Sequence, residues 1–166
     1  LRHPAHKIIA TTNLPQDDIV ADFCHNHDVD CYRGSELDVL DRYYCCAKSF
    51  GFHHIVRLTG DNPFVDIEEL DNMITLHLEK GADYSHSFKE LPIGVGSEIF
   101  SYSALEQSHI LGRNPNHREH ANEYIQENPA LFNIITHEPS STKKRHPEVR
   151  LTVDTLDDLE RASFIV

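Results

Sequence analysis

Two aspartates in this chain stand where carboxylates can do chemistry on a phosphorylated ligand. Asp61 closes the run Ile55-Val56-Arg57-Leu58-Thr59-Gly60-Asp61-Asn62-Pro63, and Asp154 closes Arg150-Leu151-Thr152-Val153-Asp154-Thr155. Each run is short, apolar and β-branched, which predicts a strand that ends in a carboxylate. In open α/β sheets ligands bind at that strand end. Two aspartates from separate strand ends can share one Mg²⁺, which takes carboxylate and phosphate oxygens and keeps several waters. A plainer reading stands beside this one: Asp61 as a turn residue and Asp154 as a turn or helix cap.

The flanking residues fit the strand-end reading. Gly60 offers a permissive backbone where the chain leaves the sheet, and Pro63 forbids a continuing ladder and biases Asn62 toward an extended conformation. After Asp154, Thr155 can cap a helix whose first turn carries Asp157 and Asp158.

The elements that must hold these residues alternate along the chain. A strand is expected from Lys7 to Thr12, then a helix from Asp17 with Ile19, Val20, Phe23 and Cys24 on one side, then a strand from Val29 to Tyr32. Ser35 is expected to cap the next helix, with Leu37, Leu40, Tyr44 and Ala47 as its buried stripe. The Ile55 strand follows, then a helix from Asp66 to Lys80 with Ile67, Leu70, Ile74 and Leu78 inward. In the second half, strands are expected at 83–88, 98–102, 132–137 and 149–153, helices at 103–111 and 117–127, and a solvated basic loop at 140–147. This order predicts an α/β fold, a mostly parallel sheet with right-handed crossovers and helices on both faces. Residues 1–166 read as a single domain.

Composition narrows the partners. The 166 residues are 39% hydrophobic and 25% charged, which suits one core. A formal net charge of −12 argues against nucleic acid, whose phosphates demand a basic face. No stretch approaches the roughly 20 apolar residues of a membrane span, and a cytoplasmic location is expected. Cys24, Cys31, Cys45 and Cys46 lack zinc-type spacing and read as reduced, packed thiols. Of the 13 histidines, only His117 and His120 could share a helical face, so solvated or hydrogen-bonded surface histidines are expected rather than a zinc site.

Four blocks occur in the order found in a known family: Arg33-Gly34-Ser35-Glu36-Leu37-Asp38-Val39-Leu40-Asp41-Arg42-Tyr43-Tyr44, Val56 to Pro63, Arg118-Glu119-His120, and Arg150 to Thr155. From Lys7 to Ala162 the chain resembles the spore-coat polysaccharide SpsF group of cytidylyltransferase-like proteins, relatives of the acylneuraminate and 3-deoxy-manno-octulosonate cytidylyltransferases. The resemblance implies a Rossmann-like nucleotide-diphospho-sugar transferase fold. It also implies Mg²⁺-dependent transfer of CMP from CTP to an acidic sugar, with pyrophosphate released.

On that resemblance, Asp61 and Asp154 are the catalytic, metal-holding pair, and Arg33, Gly34, Ser35 and Gly60 lie at the nucleotide. Arg57, Arg118 and Glu119 are carried over as pocket residues, although a structural ion pair suits Arg57 equally and a surface position suits Glu119. The loop Leu91 to Gly96, with Gly94 and then Glu98, is the expected wall for the sugar, or an ordinary connection. A homodimer is expected from the related enzymes.

The family's leading strand and glycine- and arginine-bearing phosphate loop have no counterpart before Lys7. These residues are therefore expected to leave two inner sheet edges unpaired and not to turn over CTP by themselves. Two alternatives stay open: a non-catalytic domain that binds a sugar nucleotide or a partner, and a nucleotidyltransferase using another base.

Overall fold

The computed structural model of the chain describes residues 1–165. Strands and helices alternate as β1 (Ile8–Thr12), α1 (Asp18–Asn26), β2 (Asp30–Gly34), α2 (Val39–Phe50), β3 (His54–Arg57), α3 (Ile67–Lys80) and β4 (Tyr84–His86). The rest is β5 (Glu98–Ser101), α4 (Tyr102–Leu111), α5 (Pro115–Glu119), α6 (Glu123–Glu127), β6 (Ile134–Thr136) and α7 (Leu156–Ile165). The fold is α/β with a Rossmann-like alternation. Instead of one sheet there are two: a parallel β1-β2 pair, and a mixed sheet in the order β3-β5-β4-β6. In the latter β4 is antiparallel to β5 and parallel to β6. Among the described residues, β1, β2, β3 and β6 each have one edge without a strand partner.

The chain divides into two compact units. One, the β1-β2 unit, comprises Pro4–Ile55 and Ser101–Phe132; the other, the β4-β6 unit, comprises Leu1–His3, Val56–Phe100 and the described residues from Asn133 onward. In the β4-β6 unit, Leu70, Met73 and Ile99 form a buried cluster against which Val56, Val65 and Ile74 pack. The β1-β2 unit buries Cys24, Leu40, Ala47, Leu105 and Ile125.

Local chemistry explains where several elements depart from expectation. Helix α2 starts later than Ser35 because Asp38 is the better cap: its carboxylate accepts from Asp41 N at 2.8 Å, while Ser35 Oγ accepts from Asp38 N at 3.1 Å. Leu37 then falls outside the helix and is 84% exposed rather than buried. In α1, which follows a 3₁₀ turn at Pro15–Asp17, only Cys24 is buried, and Ile19 and Phe23 face solvent. In α3 the inward face is Leu70, Met73 and His77, with Ile67 and Leu78 exposed.

The helix expected at 117–127 breaks in two, since His120 is extended (φ −114°, ψ 101°) and ends α5. His117 and His120 therefore do not share a helical face. Residues 149–153 form no regular strand. One isolated bridge there pairs Arg150 with Ile93. The four cysteines are free thiols, as expected, with Cys24 and Cys46 buried. The histidines are less uniformly superficial than expected: His77, His117 and His137 are buried.

Candidate functional site

The chain leaves β3 at Arg57 and reaches Asp61 through a turn closed by Asn62 N donating to Thr59 O at 3.1 Å. Gly60 has open space where a Cβ would stand, and its backbone needs no positive φ. Its permissive backbone is thus not what forms this turn. The segment that delivers Asp154 lies alongside. Val153 N donates to Asp61 O at 2.8 Å, and on its other flank Leu151 N donates to Ile93 O, also at 2.8 Å. Three stretches of chain are thereby held together: the Asp61 turn, residues 149–153, and the Pro92–Val95 turn. The two aspartate-bearing ends meet, as the paired-carboxylate reading requires.

Gly94 locks this meeting. At φ 92° it occupies the left-handed half of backbone space, and a Cβ there would lie 2.8 Å from Thr152 N and 3.0 Å from Asn62 Oδ1. Only a hydrogen fits. The space beside Gly94 is filled by the two aspartate-bearing segments themselves.

The carboxylates differ in what they touch. The Asp61 side chain is exposed and makes no hydrogen bond or ion pair among the described residues. Asp154 is exposed too, but its Oδ2 accepts from Thr152 Oγ1 at 2.9 Å and from an Arg150 guanidinium nitrogen. Helix α7 begins with a reciprocal cap: Thr155 Oγ1 accepts from Asp158 N at 3.2 Å while the Asp158 carboxylate accepts from Thr155 N at 3.0 Å. These bonds, the Thr155 hydroxyl first among them, lower the Asp158 pKa to about 2. Asn62 Oδ1 is a buried acceptor with no partner among the described residues.

In the same unit, Arg57 and Glu98 are brought together. Arg57 Nη1 lies 2.5 Å from Glu98 Oε1, and Tyr84 OH donates to Glu98 Oε2 at 2.6 Å. Glu98 is 1% exposed, so its two oxygens are committed to Arg57 and Tyr84 inside the sheet.

The β1-β2 unit holds the remaining expected residues, and nearly all of them are spent internally. Arg33 donates to Thr12 O at 2.9 Å and Leu14 O at 2.8 Å, and pairs with Asp18 at 2.7 Å. Gly34 lies against Arg42, whose Cγ would stand 2.9 Å from a Cβ. Arg42 in turn donates to Ser35 O at 2.6 Å. Arg118 grips Asp38 through Nε at 2.7 Å and Nη2 at 2.6 Å, and caps His109 O at 2.9 Å. Two of the motif blocks are therefore joined by one ion pair. Glu119 is exposed, with no side-chain partner among the described residues.

One cluster has no counterpart in the sequence reading. The buried Glu69 accepts from His137 Nε2 at 2.8 Å and from Ser140 N at 3.1 Å, and pairs with Lys144 at 2.9 Å. Lys144 also meets Asp66 at 2.9 Å and Glu68 at 2.7 Å. Burial pushes the Glu69 pKa up, but the bonds from Ser140, His137 and Lys144 outweigh it and hold it at about 2. The Glu68 carboxylate, with Glu69 and Asp66, holds the Lys144 pKa well above the ordinary lysine value. The basic loop is thus latched onto the start of α3 rather than solvated. The only advance signal was an acidic helix start, which identifies no partner.

No set of three or more His, Cys, Asp or Glu side chains among the described residues is grouped to hold a metal. The Asp61 and Asp154 carboxylates and the orphaned Asn62 oxygen are hard oxygen donors, and such a sparse set fits Mg²⁺, which retains waters. It does not fit zinc, which is almost always held by three or four protein ligands. No helix is long and apolar enough to cross a membrane.

Comparison with known proteins places the chain in a family. Residues 3–165 match the family described as Cytidylyltransferase. The uncharacterized protein MJ1063 of Methanocaldococcus jannaschii is 40% identical over 153 residues, 92% of this chain and 62% of its own length. The spore coat polysaccharide biosynthesis protein SpsF of Bacillus subtilis is 38% identical over 154 residues, covering 92% and 63%. The chain thus spans less than two thirds of these curated relatives.

Among solved structures, a cytidylyltransferase from Leptospira borgpetersenii superposes with a TM-score of 0.87 at 32% identity, over 95% of this chain and 67% of that one. CMP:2-keto-3-deoxy-manno-octonic acid synthetase complexed with CTP superposes with a TM-score of 0.65 at 14% identity, over 97% and 80%, a likeness of fold alone. The ordered motif blocks and the resemblance to the SpsF group are borne out, and the chain belongs to the cytidylyltransferase family.

Proposed function

We propose that this chain serves a cytidylyltransferase that moves CMP from CTP to an acidic sugar of a surface polysaccharide. The observation that carries this reading is the Val153 N to Asp61 O bond, which sets the two aspartate-bearing segments side by side. In this reading Asp61 and Asp154 hold Mg²⁺, with the Asn62 oxygen close behind. The ion would supply charge neutralisation at the triphosphate and a template for in-line attack by the sugar hydroxyl.

The chain's own residues do the positioning. The Asp61 turn, residues 149–153 and the Gly94 turn fix the two carboxylates on rigid backbone, where small displacements cost rate. The Glu98 carboxylate orients Arg57 within the sheet, and the guanidinium supplies a local positive charge for an acidic sugar in an otherwise acidic protein. Arg33, Gly34, Ser35 and Arg118 act in this reading as the frame of the nucleotide side rather than as direct contacts, since their polar groups are bonded within the protein. A cytoplasmic location and a homodimer belong to the same reading.

The test is pyrophosphate release by the intact enzyme that this chain serves, from each of the four nucleoside triphosphates, with a panel of acidic and neutral sugars, with and without Mg²⁺. Release from CTP alone, needing both an acidic sugar and Mg²⁺, is the expected outcome. Equal release with another base, or none with any acidic sugar, contradicts the proposal.

A further inference from the structure

The Arg150 guanidinium forks between two carboxylates of different character. Nη1 meets Asp158 Oδ1 at 3.0 Å, and Nη2 meets Asp154 Oδ2. Asp158 is 5% exposed and immobile, since it also accepts from Thr155 N, Thr155 Oγ1 and Asp154 N, and pairs with Arg161 at 3.1 Å. The Asp154 side chain is 50% exposed and fixed only by Arg150 and Thr152 Oγ1 through a single oxygen, leaving Oδ1 without a partner among the described residues. Arg150 therefore has one permanent partner and one it can release. Asp61, the other half of the carboxylate pair, has no cationic neighbour of this kind among the described residues.

We propose that Arg150 is a built-in placeholder cation for Asp154, neutralising that carboxylate until a divalent cation takes it and then retreating to Asp158 alone. This inference rests on the reading that Asp61 and Asp154 hold a divalent cation. A two-pronged arginine suits the task. It is always charged, and its fork lets one prong stay bonded while the other lets go. The consequence is ordered loading. A bare cation must compete with the guanidinium for Asp154 and binds weakly, whereas a cation arriving with a triphosphate brings further oxygens and wins. Arg150 thereby couples cation entry to nucleotide entry.

The test is a titration with Mn²⁺ in the absence of nucleotide, following free ion by electron paramagnetic resonance. It compares wild type, Arg150→Met, Arg150→Lys and Arg161→Met. Removing a positive charge bonded to a ligand carboxylate is expected to tighten Mn²⁺ binding about tenfold in Arg150→Met. Arg150→Lys, which cannot bridge both carboxylates in the same geometry, is expected to fall between it and wild type, and it carries the test if the methionine variant fails to fold. Arg161→Met removes the same charge from Asp158 without touching Asp154, and is expected to stay within about twofold of wild type. In thermal melts Arg150→Met should lie below wild type without Mn²⁺, and the gap should narrow at saturation without closing, since the bond to Asp158 stays lost.

Unchanged or weaker binding in both Arg150 variants overturns the placeholder while leaving the cation site standing. Equal tightening in Arg161→Met reduces the effect to net charge and also overturns it. Absence of Mn²⁺ binding in every protein removes the two-aspartate site and the placeholder with it.

Discussion

The Asp61–Asp154 region and the Arg33–Ser35 region with Arg118 are built from the same materials, carboxylates and arginines beside turns, but they dispose of their charge differently. Around Arg118 the charges are matched: Arg118 closes on Asp38 and Arg33 on Asp18 and two carbonyls, while Arg42 gives one nitrogen to the Ser35 carbonyl and leaves its buried Nε without a partner among the described residues. Around Asp61, the fit is incomplete by design. One carboxylate has no partner among the described residues, the next is held by an arginine with another place to go, and a buried amide oxygen lacks a donor. Both regions carry family motifs. What separates them is spare carboxylate capacity, which is needed to receive a cation and is used up where Asp38 and Asp18 are paired with arginines.

The contrast can be broken at graded cost. The largest expected effect is on chemistry: Asp61→Asn lowers the rate of pyrophosphate release by about a hundredfold or more through lost charge neutralisation, with the melting temperature unchanged. A comparable loss of stability would make Asp61 a structural residue like Asp38. Next, Gly94→Ala should cost about 2–4 kcal/mol in urea denaturation, because a positive φ and a contact at 2.8 Å leave the new methyl nowhere to go. It should weaken activity as the two aspartate-bearing ends part.

Arg118→Met is expected to cost about 2 kcal/mol while leaving the affinity for CTP within about threefold, since it removes a two-point ion pair between protein groups. A tenfold loss of CTP affinity at unchanged stability would turn the brace into a nucleotide contact and erase the distinction.

The Glu69 latch predicts a pH dependence. Its pKa is lowered to about 2 from 4.5, so its contribution to stability is complete above about 4.5 and is lost as pH falls from there toward 2. Denaturation midpoints measured across that range should fall less steeply in Glu69→Gln. The smallest effect is expected from Gly60→Ala, within about 0.5 kcal/mol, because its Cβ would meet nothing and its φ is not positive.

Much of the positioning was legible in the chain because its causes are local. A β-branched run ending in Gly-Asp, a Thr three residues ahead of an Asp, and Asp66 before an apolar period each act within one turn of backbone, and they produced the Asp61 turn, the α7 cap and the start of α3. What stayed hidden depends on distant partners. Nothing near Lys144 indicates that it reaches three carboxylates on α3, and nothing near Arg118 indicates Asp38. Helical period misleads for a related reason. Ile19, Leu37, Ile67 and Leu78 have the right period yet are exposed: Leu37 because the cap falls three residues later at Asp38, the others because period alone does not say which flank of a stripe the neighbouring elements cover. Gly60 and Gly94 show the same limit. They read alike as loop glycines, and only the approach of Thr152 and Asn62 makes one of them indispensable.

Asp61 and Asp154 either act as one cation site or as two unrelated carboxylates. The measurement is Mn²⁺ binding in wild type, Asp61→Asn, Asp154→Asn and the double variant, treated as a double-mutant cycle. If the two strand ends share an ion, either single change removes most of the affinity and the second adds little. Independent, additive losses, or single variants that bind as tightly as wild type, would contradict it.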